Sequence, residues 1–177
     1  MIWINFIKPV IFSNMPKQFV VATSDASSNI SAQTVSDSLR DARTLLDMDI
    51  AFVSEFVEGK RVFRYVEMKS DPSATIEVGQ SNPLEETYCQ RVVDGRMPLA
   101  IPDANLLPEA KNLSITKTLG IRAYLAAPIA LSDGQILGTL CCISHQPRTA
   151  LGIRQVDALK IIADRVAAEL QKNLVNL

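Results

Sequence analysis

The chain has 177 residues, of which 47% are hydrophobic and 21% are charged, so it is long and apolar enough to form one folded domain. Its formal net charge of −1 gives no overall positive field to attract a phosphate backbone, which argues against nucleic acid as a partner. Its three cysteines, Cys89, Cys141 and Cys142, are odd in number and irregularly spaced, unlike the disulfide framework of a secreted protein, so we expect a cytoplasmic location.

The first 33 residues are predicted to form an N-terminal extension and a linker. Residues 1–12 are mostly apolar, but this run is too short to span a bilayer and is interrupted at Lys8 and Pro9. It also lacks the positive charge that precedes the apolar part of a signal peptide. We expect it to dock on the domain or on a second copy, with contact at a membrane interface as the alternative. Residues 24–33 are small and polar and predict a loop.

The sequence pattern changes at Thr34, which can cap the start of a helix. An amphipathic helix is predicted over residues 34–48, because apolar side chains recur there at intervals of three and four: Val35, Leu39, Ala42 and Leu46. The segments 50–57 and 61–68 then predict a β-hairpin, since both are rich in aromatic and β-branched residues and are separated by a Glu-Gly turn.

A loop is predicted over residues 69–81, where Pro72 and Gly79 interrupt regular structure. Asn82 and Pro83 are predicted to open a short helix, because proline is favoured at the first helical position. We expect this helix to end near residue 95 and to be followed by a long connection with some helical character.

The C-terminal half contains the strongest predicted elements. Two strands over residues 122–131 and 135–144 are joined by Ser-Asp-Gly, which is typical of a hairpin turn. A long amphipathic helix follows over residues 151–174. Because hairpins dominate and no parallel crossover is required, the predicted fold class is α+β with an antiparallel sheet.

Several motifs taken together resemble the GAF domain family, over roughly residues 34–170. They are the segment 82–95 with its Tyr-Cys-Gln, the Ile-Pro-Asp at 101–103, the segment 123–129, and the Leu-Gly-Thr-Leu-Cys-Cys at 137–142. The resemblance is greatest to bacterial GAF domains attached to cyclic-di-GMP phosphodiesterases and other signalling outputs. It implies a central antiparallel sheet, with the terminal helices on one face and a ligand pocket on the other.

This resemblance divides the chain into an extension and linker (1–33), a GAF-like sensory domain (34–172) and a helix end (173–177). It also assigns ligand-binding residues. Those expected on the pocket face of the sheet are Phe52, Tyr124, Ala126, Thr139, Cys141 and Ile143. Those expected at the pocket rim are Tyr88, Cys89, Arg91 and Asp103.

Strand alternation supports this division, since Cys141 and Ile143 share one face whereas Leu140 and Cys142 share the other. Arg91 has an alternative role in an ion pair with Asp94 or Asp103, and Tyr124 an alternative role as ordinary core. A mostly apolar pocket with a few hydroxyl and thiol groups suits an uncharged or aromatic small molecule. The sequence identifies neither that ligand nor any cofactor.

No catalytic residue and no metal site are expected. A relative with free methionine-(R)-sulfoxide reductase activity would need a cysteine within residues 114–121, which contain none, and Cys89 alone cannot complete a thiol redox cycle. A bilin photoreceptor would need a Cys-His pair, but the sole histidine, His145, does not follow a cysteine. The signature of cyclic-nucleotide-binding GAF domains is not visible, and no Cys-x-x-Cys pair supports a zinc site.

The apolar positions Leu170, Leu174 and Leu177 continue to the end of the last helix and predict a helical partner. We therefore expect a homodimer through the terminal helices, coupled to a signalling output domain or protein, with no transmembrane segment. The predicted function is a non-catalytic sensory or regulatory domain that binds a small molecule, dimerises, or both. Two alternatives remain. One is a redox enzyme similar to the reductase, and the other is an interaction scaffold whose pocket is filled by its own side chains.

Overall fold

The computed structural model describes residues 26–69 and 76–175. Within these ranges the strands are β1 (Ile50–Val57), β2 (Lys60–Met68), β3 (Ser81–Pro83), β4 (Ala100–Ile101), β5 (Ala123–Ala130) and β6 (Ile136–Ser144). The helices are α1 (Ala26–Leu45), α2 (Tyr88–Val93), α3 (Pro108–Asn112), α4 (Ser114–Thr118) and α5 (Ile153–Val175). Short 3-10 turns cover Leu84–Glu86 and Ala104–Leu106.

The strands form one antiparallel sheet in the order β3-β2-β1-β6-β5-β4. The two hairpins, β1–β2 and β5–β6, meet at its centre, where β1 pairs with β6 so that Phe52 lies opposite Cys141 and Ser54 opposite Thr139. The predicted α+β class with an antiparallel sheet is confirmed. The four long strands agree with the sequence prediction to within one residue at each end.

Helices α1 and α5 pack against one face of the sheet and enclose the larger core, which we call the helix-face core. Leu39 of α1, Leu140 of β6 and Leu159 of α5 are all fully buried within it. Burial of each such side chain stabilises the fold by about 1.5–3 kcal/mol relative to exposure. The predicted apolar stripes of both long helices lie in this core, so their amphipathic character is confirmed.

The end of α5 differs from the sequence expectation at Leu170. This side chain is only 3% exposed and packs in the chain's own core, so it does not require a partner. The side chains of Leu174 and Leu177, and the whole of residues 1–12, lie outside the described residues. Among the helices of the described ranges, none is long and apolar enough to cross a membrane.

The opposite face of the sheet carries a second core, which we call the ligand-face core. Short helices cover it, and they contribute buried side chains such as Cys89 from α2, Ala110 from α3 and Ile115 from α4. The predicted alternation along β6 is confirmed, since Cys141 belongs to this core while Cys142 belongs to the helix-face core.

Two element boundaries were predicted wrongly. Helix α1 begins at Ala26 rather than at Thr34, so the loop expected over residues 24–33 is wrong from Ala26 onward. A tertiary contact holds this early part of the helix, because the Ser31 hydroxyl donates a hydrogen bond of 2.6 Å to Glu169 of α5. Pro83 is not the first residue of an α-helix but ends the edge strand β3, where its missing N–H is tolerated, and it caps the 3-10 turn Leu84–Glu86 that follows directly.

Gly138 marks a close approach between β6 and β1. A Cβ atom at this position would lie 2.8 Å from the carbonyl carbon of Ser54, and closer still to its oxygen. Real Cβ atoms do not approach backbone atoms this closely. Any larger residue at position 138 must therefore push the two central strands apart.

We expect Gly138→Ala to lower the free energy of unfolding by about 2 kcal/mol or more, because overpacking a well-packed site typically costs 1–3 kcal/mol. Gly152→Ala is the matched control, since the nearest atom to its added Cβ, Gln155 Oε1, would be 3.9 Å away. The control should lose less than about 1 kcal/mol. Urea denaturation measures both, and equal losses would contradict the steric role of Gly138.

Burial raises the pKa of the Cys142 thiol from 9.0 to about 12. Between these values the unfolded chain has lost the thiol proton while the folded chain still holds it, so the stability associated with this group is present below about pH 9 and is lost as the pH rises toward 12. Urea titrations at a series of pH values measure this effect. As the pH rises above 9, the free energy of unfolding should decrease less steeply in Cys142→Ala than in the wild type. Parallel pH curves for the two proteins would contradict the raised pKa, whatever the packing loss at neutral pH.

Candidate functional site

The ligand-face core brings together the six residues predicted to line a pocket. They come from β1, β5 and β6, and each is at most 1% exposed: Phe52, Tyr124, Ala126, Thr139, Cys141 and Ile143. The strand registers place them on one face, with Ala126 beside Cys141 and Tyr124 beside Ile143. Tyr124 is thus a buried member of this core, and a ligand that contacted it would have to enter among packed side chains.

A polar cluster lies at the centre of this otherwise apolar face. It consists of Ser54, Cys89, Tyr124, Thr139 and Cys141, which we call the thiol cluster. The Sγ atom of Cys141 lies 3.0 Å from the Tyr124 hydroxyl and 3.1 Å from the Thr139 hydroxyl. The hydroxyls of Ser54 and Thr139 are 2.9 Å apart, and Cys89 Sγ lies 3.7 Å from Ser54 Oγ and 3.9 Å from Cys141 Sγ.

Helix α2 carries Cys89 into this cluster from above the sheet. Its neighbour Tyr88 packs beside it, with the Tyr88 ring tilted against that of Tyr124 and the ring centroids 4.7 Å apart. The Tyr88 hydroxyl is hydrogen-bonded to the Thr116 hydroxyl of α4 at 2.7 Å. Both rim residues predicted on this part of the helix are therefore buried and belong to the same core as the strand residues.

Arg61 of β2 is a functional candidate that sequence reasoning missed. It is only 2% exposed, and its guanidinium carbon lies 3.8 Å from the centroid of the Phe63 ring and 5.8 Å from that of Phe52. It donates a short hydrogen bond to the Asn82 side-chain oxygen, but its Nε has no hydrogen-bond partner. Strand alternation could have found it, because Arg61 and Phe63 are two residues apart and share a face.

The surroundings of the thiol cluster shift the pKa values of its two cysteines in opposite directions. The hydrogen-bonding contact between the Cys89 and Cys141 sulfur atoms holds the pKa of the Cys89 thiol well below its ordinary value, and the positive charge of Arg61 lowers that pKa further. Burial raises the pKa of Cys141 well above its ordinary value, and the neighbouring Cys89 raises it again. Burial likewise raises the pKa of Tyr124.

The structure corrects the expected partners of the other two rim residues. Arg91 forms its ion pair with Glu109 at 2.8 Å, rather than with Asp94 or Asp103. Asp103 instead pairs with Arg122 at 3.0 Å, and a hydrogen bond from that guanidinium lowers the pKa of the Asp103 carboxyl. Neither ion pair includes a member of the thiol cluster, so these two residues are held apart from the centre of the site.

The structure also corrects one chemical argument. Cys89 was expected to lack a second thiol within reach, but Cys141 lies beside it, 3.9 Å away between sulfur atoms. Sequence reasoning missed the pair because 52 residues separate the two cysteines and only the packing of α2 on β6 joins them. Among the described residues there is no group of three or more His, Cys, Asp or Glu side chains placed to hold a metal ion.

Sequence comparison finds two matches. The family model of the GAF domain matches residues 32–170. The chain is also 32% identical, over 92 residues, to a cyclic di-GMP phosphodiesterase of Pseudomonas aeruginosa. That match covers 51% of this chain but only 16% of the phosphodiesterase, so the chain corresponds to a small part of this relative.

Solved structures share the fold at low sequence identity. The GAF domain of Thermosynechococcus elongatus PixJ, in its blue-light-absorbing form, has a TM-score of 0.65 at 18% identity, covering 88% of this chain and 97% of that one. The GAF-B domain of DevS from Mycobacterium smegmatis has a TM-score of 0.60 at 16% identity, covering 82% and 96%. With the family model matching most of its length, the chain belongs to the GAF domain family.

Proposed function

We propose that this chain is a non-catalytic, cytoplasmic sensory domain that binds a small molecule in the ligand-face core and relays its binding to a signalling output. The observation that carries this proposal is the buried guanidinium of Arg61 beside the thiol cluster. A cation removed from water is costly unless ionic and hydrogen-bonding partners compensate it. Asn82 and the aromatic rings supply only part of this compensation, and the Nε of Arg61 has no partner.

The lining of the site indicates the chemical class of ligand. Phe52 and Ile143 offer apolar surface, and Ser54 and Thr139 offer hydroxyl groups. Arg61 adds a positive charge that favours a carboxylate, a phosphate or another strong acceptor. We therefore propose a compact ligand with a flat apolar body and one anionic or acceptor group, which modifies the uncharged ligand expected from the sequence.

The output is proposed from the relative in Pseudomonas aeruginosa, which is a cyclic di-GMP phosphodiesterase. The 92 matched residues make up a small part of that protein, which leaves room in it for a separate catalytic region. We propose that this chain likewise acts on a signalling output domain or protein, and that enzymatic turnover takes place there rather than in this domain.

Arg61→Met tests the ligand proposal, because methionine keeps much of the apolar volume and removes the charge. We expect native mass spectrometry of the purified wild-type chain to show an added mass that disappears on denaturation. The variant should lose at least tenfold of this bound fraction while remaining as stable as the wild type or more so, because an incompletely paired buried charge is removed.

Arg40→Met is the matched control, since the Arg40 side chain is 53% exposed on α1, and it should keep the added mass. Equal ligand retention by both variants would remove Arg61 from the site. A wild-type chain that carries no added mass, and whose melting temperature no small carboxylate or phosphate raises, would favour the scaffold alternative.

We propose dimerisation as a second function, favoured by apolar side chains that α5 leaves in solvent. Ile161 is 72% exposed and Ile153 is 70% exposed, although neighbouring positions of the same helix are buried. Large apolar side chains exposed along one helix are typical of an interface. A second copy of the chain, packed through its terminal helices, would cover them.

Ile161→Glu should weaken this dimer at least tenfold, because each copy would bury a carboxylate in an apolar contact. Lys160→Glu is the control, as its exposed position adjoins Ile161 and it introduces the same acidic group. Sedimentation velocity over a range of concentrations measures both. A wild-type chain that stays monomeric at all concentrations, or variants that dissociate equally, would contradict an interface at Ile161.

A further inference from the structure

We propose that Cys89 and Cys141 form a redox-modification site, in which a small two-electron oxidant of the peroxide class joins the two thiols as a disulfide across the ligand-face core. This inference goes beyond ligand binding and does not depend on it. The described structure holds both cysteines as free thiols.

The geometry supports a direct bond between the two cysteines. Their sulfur atoms are 3.9 Å apart, and a disulfide requires about 2.05 Å, so the gap to be closed is roughly 2 Å. One thiol comes from the six-residue helix α2 and the other from the central strand β6. Rotation of the side chains with a small shift of the short helix can close this gap, whereas the strand is held by neighbours on both sides.

The surroundings of the pair assign different roles to the two thiols. Arg61 places a positive charge near Cys89, which favours its thiolate, whereas Cys141 donates its one thiol proton to the Thr139 hydroxyl at 3.1 Å. A thiolate is the nucleophilic form of cysteine. Cys89 is therefore the attacking sulfur, and Cys141, which retains its proton, is the resolving thiol.

The reaction with hydrogen peroxide balances in two steps. The Cys89 thiolate attacks one peroxide oxygen, the O–O bond breaks, and Cys89 becomes a sulfenic acid while the departing hydroxide takes up a proton to form water. The Cys141 sulfur then attacks the Cys89 sulfur, the S–O bond breaks, and a second water leaves with the proton of Cys141. Two thiols are oxidised, one peroxide is reduced, and one disulfide and two waters result.

Burial makes this site selective for small oxidants. Cys89 is 1% exposed and Cys141 is 0% exposed, so a bulky disulfide reagent reaches them only when the domain opens. Cys142 provides an internal control, because it is equally buried but lies in the helix-face core with a pKa raised to about 12. If Cys89 and Cys141 react with peroxide while Cys142 does not, a difference in solvent exposure cannot be the cause, because all three thiols are buried.

The test treats the reduced chain of 177 residues with a slight excess of hydrogen peroxide, then unfolds it in the presence of N-ethylmaleimide. We expect the intact mass to show one maleimide group, on Cys142, where the untreated chain shows three. Peptide mapping should identify a Cys89–Cys141 link within one chain, reversible by a dithiol reductant. Because this map is made on the wild-type chain, the result does not depend on the folding of any variant.

Variants then separate the two roles. Cys141→Ser should accumulate a sulfenic acid on Cys89, which dimedone traps. Cys89→Ser should react with peroxide at least tenfold more slowly than the wild type. Cys142→Ala should form the link as the wild type does. Any one of three results would overturn the proposal. These are three maleimide groups after peroxide treatment, a disulfide link through Cys142, or a link that forms no faster in the folded chain than in urea. Arg61→Met should still form the link, but more slowly than the wild type, because the variant removes the positive charge that lowers the pKa of the Cys89 thiol.

Discussion

The pairing of β1 with β6 is the constraint on which the remaining structure depends. It joins two hairpins that lie far apart in the chain, and it places Phe52 opposite Cys141 and Ser54 opposite Thr139. Side chains alternate with a period of two, so a slip of one residue in this pairing would exchange the two faces of β1 relative to β6. Gly138 sustains the pairing, because its missing side chain permits the close approach to Ser54.

The two faces of the sheet carry cores of different composition. One face holds the larger apolar core and the long helices, which supply most of the hydrophobic burial. The other face contains hydroxyls, thiols and a guanidinium beneath short helices. Cys141 and Cys142 show the division at adjacent positions: one has another thiol and two hydroxyls beside it, while burial in the helix-face core raises the pKa of the other to about 12.

Polar groups distinguish the ligand-face core from ordinary apolar packing. A purely stabilising core would be expected to contain few groups that need partners, since each unpaired buried polar group carries a desolvation cost. Here a guanidinium with an unpartnered Nε faces the same core as two thiols whose sulfur atoms are 3.9 Å apart. The proposed ligand binding and the proposed thiol oxidation are distinct uses of this arrangement, and both would draw on the positive charge of Arg61.

The sequence by itself determined the fold class, the four long strands, the two amphipathic helices and the alternation of faces over residues 138–143 of β6, because hydrophobic periodicity is a local property of the chain. Only the tertiary structure decided that α1 reaches back to Ala26, that Arg91 pairs with Glu109, and that Cys89 meets Cys141. The physical reason is the same for all three: each depends on a contact between segments distant in sequence. Periodicity assigns a side chain to a face, whereas its neighbours on that face are set by strand register and helix packing.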